Sequence, residues 1–401
     1  MTVRRKYRSF IAIPLLAIVM VSPLFAQGPE GQKELNKKLN SELAYLVSLA
    51  GSKTAEPIDV ESFKCLLQLF QDNTISLDFC PKPIGKTTPA TSAFSLNCPL
   101  NKLLRYCYSS ELHSFMMMPS AVRFSNWLEI DGVENAAVPE LSERIKTITE
   151  PFSYSGVGHL DLTPDINTGI YYSYDEDRCV ILLPGDRKIF ISISAQREKS
   201  NLGLNGAVVT DDHNWIYLFS GEQGASKRGI GWAKTYINSS YCITMYCEEE
   251  NNTTRMVTFK WISAGWSGIN MVKKKHIIKG VVRFTNTLTH ILESPNLPSY
   301  KTLLVEQNRV EALTEDELRE QVKPYLAVVA EMDSALVRRK PFSKQLASGK
   351  HLKIMTRYDL EKVVLTEYLK GALGLPRVVQ KVTTTPAPIV RLREKGTARK
   401  S

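Results

Sequence analysis

Gly265-Trp266-Ser267-Gly268 is the chain's sharpest offer of chemistry, because it sits between an alternating stretch and a stretch of helical period. A nucleophile elbow needs Gly-x-Ser-x-Gly at a strand-to-helix turn, where the turn is too tight for side chains flanking the serine. Here the second glycine comes one residue early, and Ile269 occupies the required place. Asp316 or Asp333 followed by His351 would supply a triad in the right chain order. The elbow, however, belongs to a parallel sheet with helical crossovers, and the short connections in this region predict hairpins. A helix cap plus a close-packing glycine accounts for the same residues. A serine hydrolase using Ser267 therefore stands only as the enzymatic alternative.

The remaining motifs fall away on their spacing. Gly85-Lys86-Thr87 lacks the glycine that a phosphate loop needs five residues earlier, where Cys80 stands. Asp165-Ile166-Asn167-Thr168-Gly169 is half a calcium loop without its closing glutamate, and reads as a turn. Asp175-Glu176-Asp177 reads as a solvated hairpin end, and Asp211-Asp212-His213 as a turn with an exposed histidine. His159 and His276 are single histidines for which packing is a sufficient account. With no HExxH, no paired-histidine spacing, no CxxC and no glycine-rich nucleotide fingerprint, no metal or cofactor is expected.

Aromatic residues point elsewhere. Trp232, Tyr236, Phe259, Trp261 and Trp266 crowd the last strands and the turn, and Phe284 follows on the helix. A curved sheet closed by a helix can enclose an apolar pocket with such rings as its wall, so these six are the candidate ligand-binding residues. Filling a core is the competing account of each. Lys273, Lys274 and Lys275 stand where a helix begins, against its dipole. Solvation, an anionic ligand or a lipid head group would each answer that mismatch.

The elements that must position these residues follow from periodicity. Val257, Phe259 and Trp261 alternate with Met256, Thr258, Lys260 and Ile262, which predicts a strand. Ser267 or Asn270 can cap a helix in which Ile269, Val272, His276, Gly280, Phe284, Leu288 and Ile291 form one stripe, ended by Pro295 and Pro298. Such a helix of roughly 25 residues would span about 37 Å, enough to cross a sheet. Before it, period two predicts strands from Tyr154 onward, joined by short turns and hence antiparallel. Helices are expected at 27–50, from Asp59, around Leu100–Tyr108, at Pro139–Thr149, after the Thr314/Glu317 capping box, and over Arg357–Ala372. The fold class is α+β, a curved antiparallel sheet crossed by one long helix, with helical N-terminal and C-terminal regions.

The 401 residues suffice for two domains, and divide as an export signal (1–26), a helical, loop-rich, disulfide-containing region (27–150), a sheet with its long helix (151–293), C-terminal helices (294–376) and a disordered basic tail (377–401). Arg4, Arg5, Lys6 and Arg8 precede an uncharged apolar run from Phe10 to Ala26, which is the pattern of an export signal, with an uncleaved anchor as the alternative. A periplasmic or extracellular location follows, in a bacterial envelope. The net charge of +10 resides in the ends: without the leader and the tail the body has 40 basic and 40 acidic residues. Nucleic acid is therefore not an expected partner, whereas the tail suits contact with an anionic surface. In an oxidising compartment most of the seven cysteines should be bridged, with Cys80 and Cys98 closing the loop at 81–97.

Residues 154–293 resemble, in element order and in the strand–Gly-Trp–helix junction, the helix-grip domains of the START and Bet v 1-like kind. The resemblance implies a sheet that grips a long last helix, and an apolar ligand or lipid between them. The competing class is an envelope scaffold, tied by disulfides, that binds a protein or an anionic surface. Sequence leaves the oligomeric state open.

Overall fold

The computed structural model describes residues 29–51, 58–165, 170–205, 215–216, 222–223, 225–227, 231–332 and 340–379. In chain order the elements are α1 (Pro29–Leu49), α2 (Lys64–Gln71), β1 (Thr88–Leu96), α3 (Leu100–Cys107), β2 (Val122–Ile130), β3 (Val133–Glu134), α4 (Leu141–Thr147), β4 (Phe152–Asp165), β5 (Ile170–Leu183) and β6 (Ile189–Gln196). Short strands β7 (Leu204–Asn205), β8 (Glu222–Gln223), β9 (Ala225–Lys227) and β10 (Gly231–Ala233) lead to β11 (Tyr236–Glu249), β12 (Thr253–Gly265) and α5 (Lys274–Leu292). The chain closes with α6 (Tyr300–Glu311), α7 (Glu315–Glu331), α8 (Lys340–Ala347), α9 (Lys350–Ile354) and α10 (Arg357–Ala372). The expected export signal and most of the expected basic tail lie outside the described residues.

The main sheet runs β1-β12-β11-β6-β5-β4-β2-β3, antiparallel throughout, and curls into a half-barrel. Bulges at Val122/Phe124, Trp127/Glu129 and Ile237/Ser239 increase the local twist. Three strands, β1, β2 and the short β3, come from the region expected to be helical and loop-rich. β1 pairs with β12 over its whole length, and β2 pairs with β4. Residues 27–150 thus contribute to the same sheet as residues 151–293.

Each face of the sheet carries its own core. On the outer face, Val257, Phe259 and Trp261 of β12, Ile243 and Met245 of β11 and Ile191 of β6 pack beneath α1 and α2. On the inner face, Met256, Tyr246, Phe190 and Leu182 join α3, the last turns of α5 and the C-terminal helices. Period two thus separates the faces as the sequence predicts.

The sheet also explains the cysteines. All seven are described and free. Cys98 lies in the inner cluster with Cys107 packed against it, whereas Cys179 and Cys247 lie in the outer cluster with Cys65 packed against it, so the sheet separates the two sets. Cys179 and Cys247 stand on β5 and β11 with β6 between them, Cys179 level with Ile193 and Cys247 level with Ile189, which puts them beyond disulfide reach. Cys80 is exposed, its Sγ 4.0 Å from the Pro89 carbonyl oxygen, while Cys98 is buried in the inner core. The expected Cys80–Cys98 bridge is therefore not formed; the loop it was to close is strand β1.

Candidate functional site

α5 begins at Lys274, later than periodicity suggests, because Trp266 to Val272 form a clamped loop. Asn270 holds it. Its Oδ1 accepts from the Ala264 and Val272 amides at 3.3 and 2.9 Å, and its Nδ2 donates to the Lys86 carbonyl and the Thr88 hydroxyl at 2.9 and 3.2 Å. Gly265 is required here, since a Cβ would lie 2.2 Å from the Ile269 carbonyl oxygen. From this anchor α5 packs on β1 through Ile277, Val281 and Ala90. Halfway along, Arg283 Nη1 donates to the Thr163 carbonyl of β4 at 3.0 Å, and Thr287 meets Ser120 at 3.1 Å. Leu288, Ile291 and Leu292 then enter the inner core. The helix touches one edge of the half-barrel and then a strand five places away in the sheet.

Beneath that span, strand register lines up small and polar side chains. Ser92, Thr258, Thr244 and Ser192 stand opposite one another across β1, β12, β11 and β6. The next row is Ala90, Lys260, Cys242, Ser194, Arg178 and Gly156. Ser192, Ser194, Cys242 and Thr244 keep partial exposure at the centre of the sheet. Their outer-face neighbours Ile191, Ile193, Ile243 and Met245 are 0 or 1% exposed. At these middle positions the two strands are sealed on one side and partly accessible on the other.

Fixed polar groups flank this surface. Arg178 lies flat across Gly158, where a Cβ would come within 2.3 Å of the guanidinium. It donates to Glu176 Oε1 at 2.8 Å, to the Asn126 and His159 carbonyls at 3.2 Å, and to Ser125 Oγ at 3.0 Å. Gln196, opposite Glu176, is buried and donates to the Glu198 and Ile237 carbonyls. The Tyr108 and Tyr246 hydroxyls meet at 2.9 Å, and burial pushes both phenols well above the usual tyrosine range. Tyr174 hydrogen-bonds Ser240 and is likewise pushed up by burial. Beyond these groups Tyr172, Tyr174, Ile170 and Ile237 form a further apolar cluster. A hydroxyl-rich, partly accessible floor thus separates two apolar ends, which suits a ligand with apolar and hydrogen-bonding parts.

The six sequence candidates are scattered. Phe259 and Trp261 face α1 and α2, on the opposite side of the sheet from α5, and Trp261 Nε1 donates to the Lys82 carbonyl at 2.8 Å. Tyr236 stands at the start of β11 with Lys199 Nζ 3.4 Å from its ring centre. Trp266 is half-buried in the clamped loop. Phe284 alone is on α5, half-buried against the inner core. The side chain of Trp232 lies outside the described residues. The inner floor was missed because serine and threonine on a strand carry no distinctive local signal; only the register brings them together.

The acidic run Asp175-Glu176-Asp177 is the middle of β5, not a hairpin end. On the outer face it builds a connection of serine, histidine and aspartate. Ser173 Oγ lies 3.1 Å from His159 Nε2, and His159 Nδ1 lies 2.6 Å from Asp175 Oδ1. Asp161 Oδ1 also reaches Nε2, at 3.2 Å. Hydrogen bonds to Asp161 and Asp175 outweigh desolvation and hold the imidazole up at about 9. A histidine already protonated near neutral pH cannot take the serine's proton, so this is a charged staple between β4 and β5. Ser267 is exposed at a turn with φ +50°, and no described histidine hydrogen-bonds it. His351 is buried beside Asp359 in the C-terminal helices, and Asp333 lies outside the described residues.

No protein family and no curated protein matches this sequence. Among solved structures, the human StarD13 (DLC2) lipid transfer and protein localization domain is similar, with a TM-score of 0.24 and 8% identity over 59% of this chain and 95% of that one.

Proposed function

We propose that the protein binds an amphipathic, largely apolar ligand on the inner face of the sheet, beneath α5, and does so without catalysis. The observation that carries this reading is the contrast between the two faces of β6 and β11. A sheet covered by a helix is normally filled with branched apolar side chains, whereas this face presents serine, threonine and cysteine that stay accessible. The apolar ends would take the body of the ligand. The hydroxyl row, with Glu176, Arg178 and Gln196, would meet its polar part. This moves the ligand surface away from Phe259 and Trp261.

Native mass spectrometry of the purified protein, followed by solvent extraction and by incubation with fluorescent fatty acids, tests the proposal. Uptake is expected in the wild type and is expected to fall at least tenfold in Thr244→Trp, which adds an indole to the floor, with little loss in Thr244→Val. Absence of both a co-purifying ligand and any uptake would overturn it. We also propose, from the leader alone, that the protein is exported; the mature N-terminus should begin after Ala26.

A further inference from the structure

The loop that leads into α5 holds apolar side chains outward on a rigid frame. Ile269 and Met271 are 59% and 45% exposed, and Trp266 is half-exposed beside them. Between the two sits Asn270, whose side chain ties the backbone to β1, β12 and Lys86. Ser267 at φ +50° and Gly268 at φ +72° complete the turn. Clamped in this way, the loop cannot fold Ile269 and Met271 away from water at low cost.

Charge surrounds the tip on one side only. Lys273, Lys275 and Lys279 are exposed, Lys274 is half-exposed, and Lys86 is exposed where Asn270 is anchored. None of these five makes an ion pair among the described residues, and the sequence has no carboxylate between Glu250 and Glu293. Lysines at the first turn of a helix oppose its dipole and cost a little stability. Among the described residues nothing offsets that cost; an anionic surface would.

An apolar tip flanked by lysines is the pattern of an interfacial anchor, in which rings and aliphatic groups enter the head-group boundary while lysines meet anionic lipid. We infer that the Trp266–Lys279 segment docks the protein on an anionic phospholipid bilayer, with Trp266, Ile269 and Met271 at the interface. No described helix is long and apolar enough to cross a membrane, so the contact is peripheral. This inference does not rest on the ligand proposed above.

Co-sedimentation of the full-length protein with phosphatidylcholine vesicles, with and without phosphatidylserine, tests it. Binding is expected to require phosphatidylserine and to weaken with salt. Each lysine of 273–275 changed to glutamine should weaken partition about fivefold. Ile269→Asp with Met271→Asp should reduce it at least tenfold, with circular dichroism and unfolding midpoint unchanged because both side chains are exposed. Thr244→Trp should still sediment, which separates docking from uptake of vesicle lipid. Binding that is equal on phosphatidylcholine alone would overturn the inference. So would binding that survives the double aspartate change, since it would then run through other basic residues such as those of the tail.

Discussion

The histidine staple between β4 and β5 makes a pH-dependent prediction with a definite sign. His159 is held at about 9, against an ordinary 6.5, by Asp161 and Asp175. The folded state therefore holds this proton more tightly than the unfolded chain does. Its contribution is complete below about pH 6.5 and disappears as pH rises through about 9. The full difference would correspond to about 3.4 kcal/mol at 1.36 kcal/mol per unit. His159 and Asp175 keep 28 and 48% of their side-chain surface exposed, so solvent screening reduces this to about 1 kcal/mol. His159→Gln keeps a donor of similar length and removes the charge. Urea unfolding of both proteins should show a loss of about 1 kcal/mol near pH 6 and almost none near pH 9.5. A loss that is the same at both pH values would mean that the histidine acts through packing alone, and would refute the electrostatic account. A loss that grows with pH would contradict its sign.

Two further outcomes bear on the reading of the two faces and of the C-terminal helices. Trp261→Phe should cost about 1–2 kcal/mol in chemical unfolding, because the Lys82 carbonyl loses its donor, yet leave fatty-acid uptake unchanged. A parallel loss of uptake would return the ligand to the outer face. Lys362 is buried, donates to the Val122 carbonyl, and is pushed well below the usual lysine range by desolvation and then by Arg123. Lys362→Met should therefore leave the thermal midpoint unchanged or slightly raised. Asp359→Asn should lower stability by about 3 kcal/mol, since it strips Arg123 of a partner at 2.6 Å and weakens the cap with Thr356.

How much of this was legible depends on whether the signal was local. The strand ending at Gly265, the Thr314/Glu317 capping box and the helix Arg357–Ala372 stand where period and capping chemistry put them. β1 was read as a loop because Thr-Pro-Ala-Thr-Ser-Ala-Phe-Ser-Leu has small residues, no clean alternation and a proline. Pro89 is tolerated because β1 is an edge strand, paired among the described residues with β12 alone. The acidic run hid the middle of β5 because its partners are remote: His159 faces Asp175 across β4, and Arg178 crosses Gly158 to neutralise Glu176. Such pairs form only when the strands are already in register, so composition alone marks the segment as solvated. Disulfides were expected from cysteine number and compartment. The face of the sheet that each cysteine enters instead keeps Cys98 and Cys107 apart from Cys65, Cys179 and Cys247.

The same logic bears on the site. Ile189-Phe190-Ile191-Ser192-Ile193-Ser194 alternates in the manner of a strand with one buried and one wet face. Taken alone, that pattern predicts an open sheet with solvent above the serines. α5 nevertheless spans that face, fixed at one end by Asn270, at its middle by Arg283 and at the other end by the inner core. A helix resting directly on those serines would bury hydroxyls with few partners, which is costly. The accessible surface that Ser192, Ser194, Cys242 and Thr244 retain means that it does not rest there. A strand pattern written for solvent, under a helix held at its ends, is what the proposed ligand would require as the third component of the inner layer.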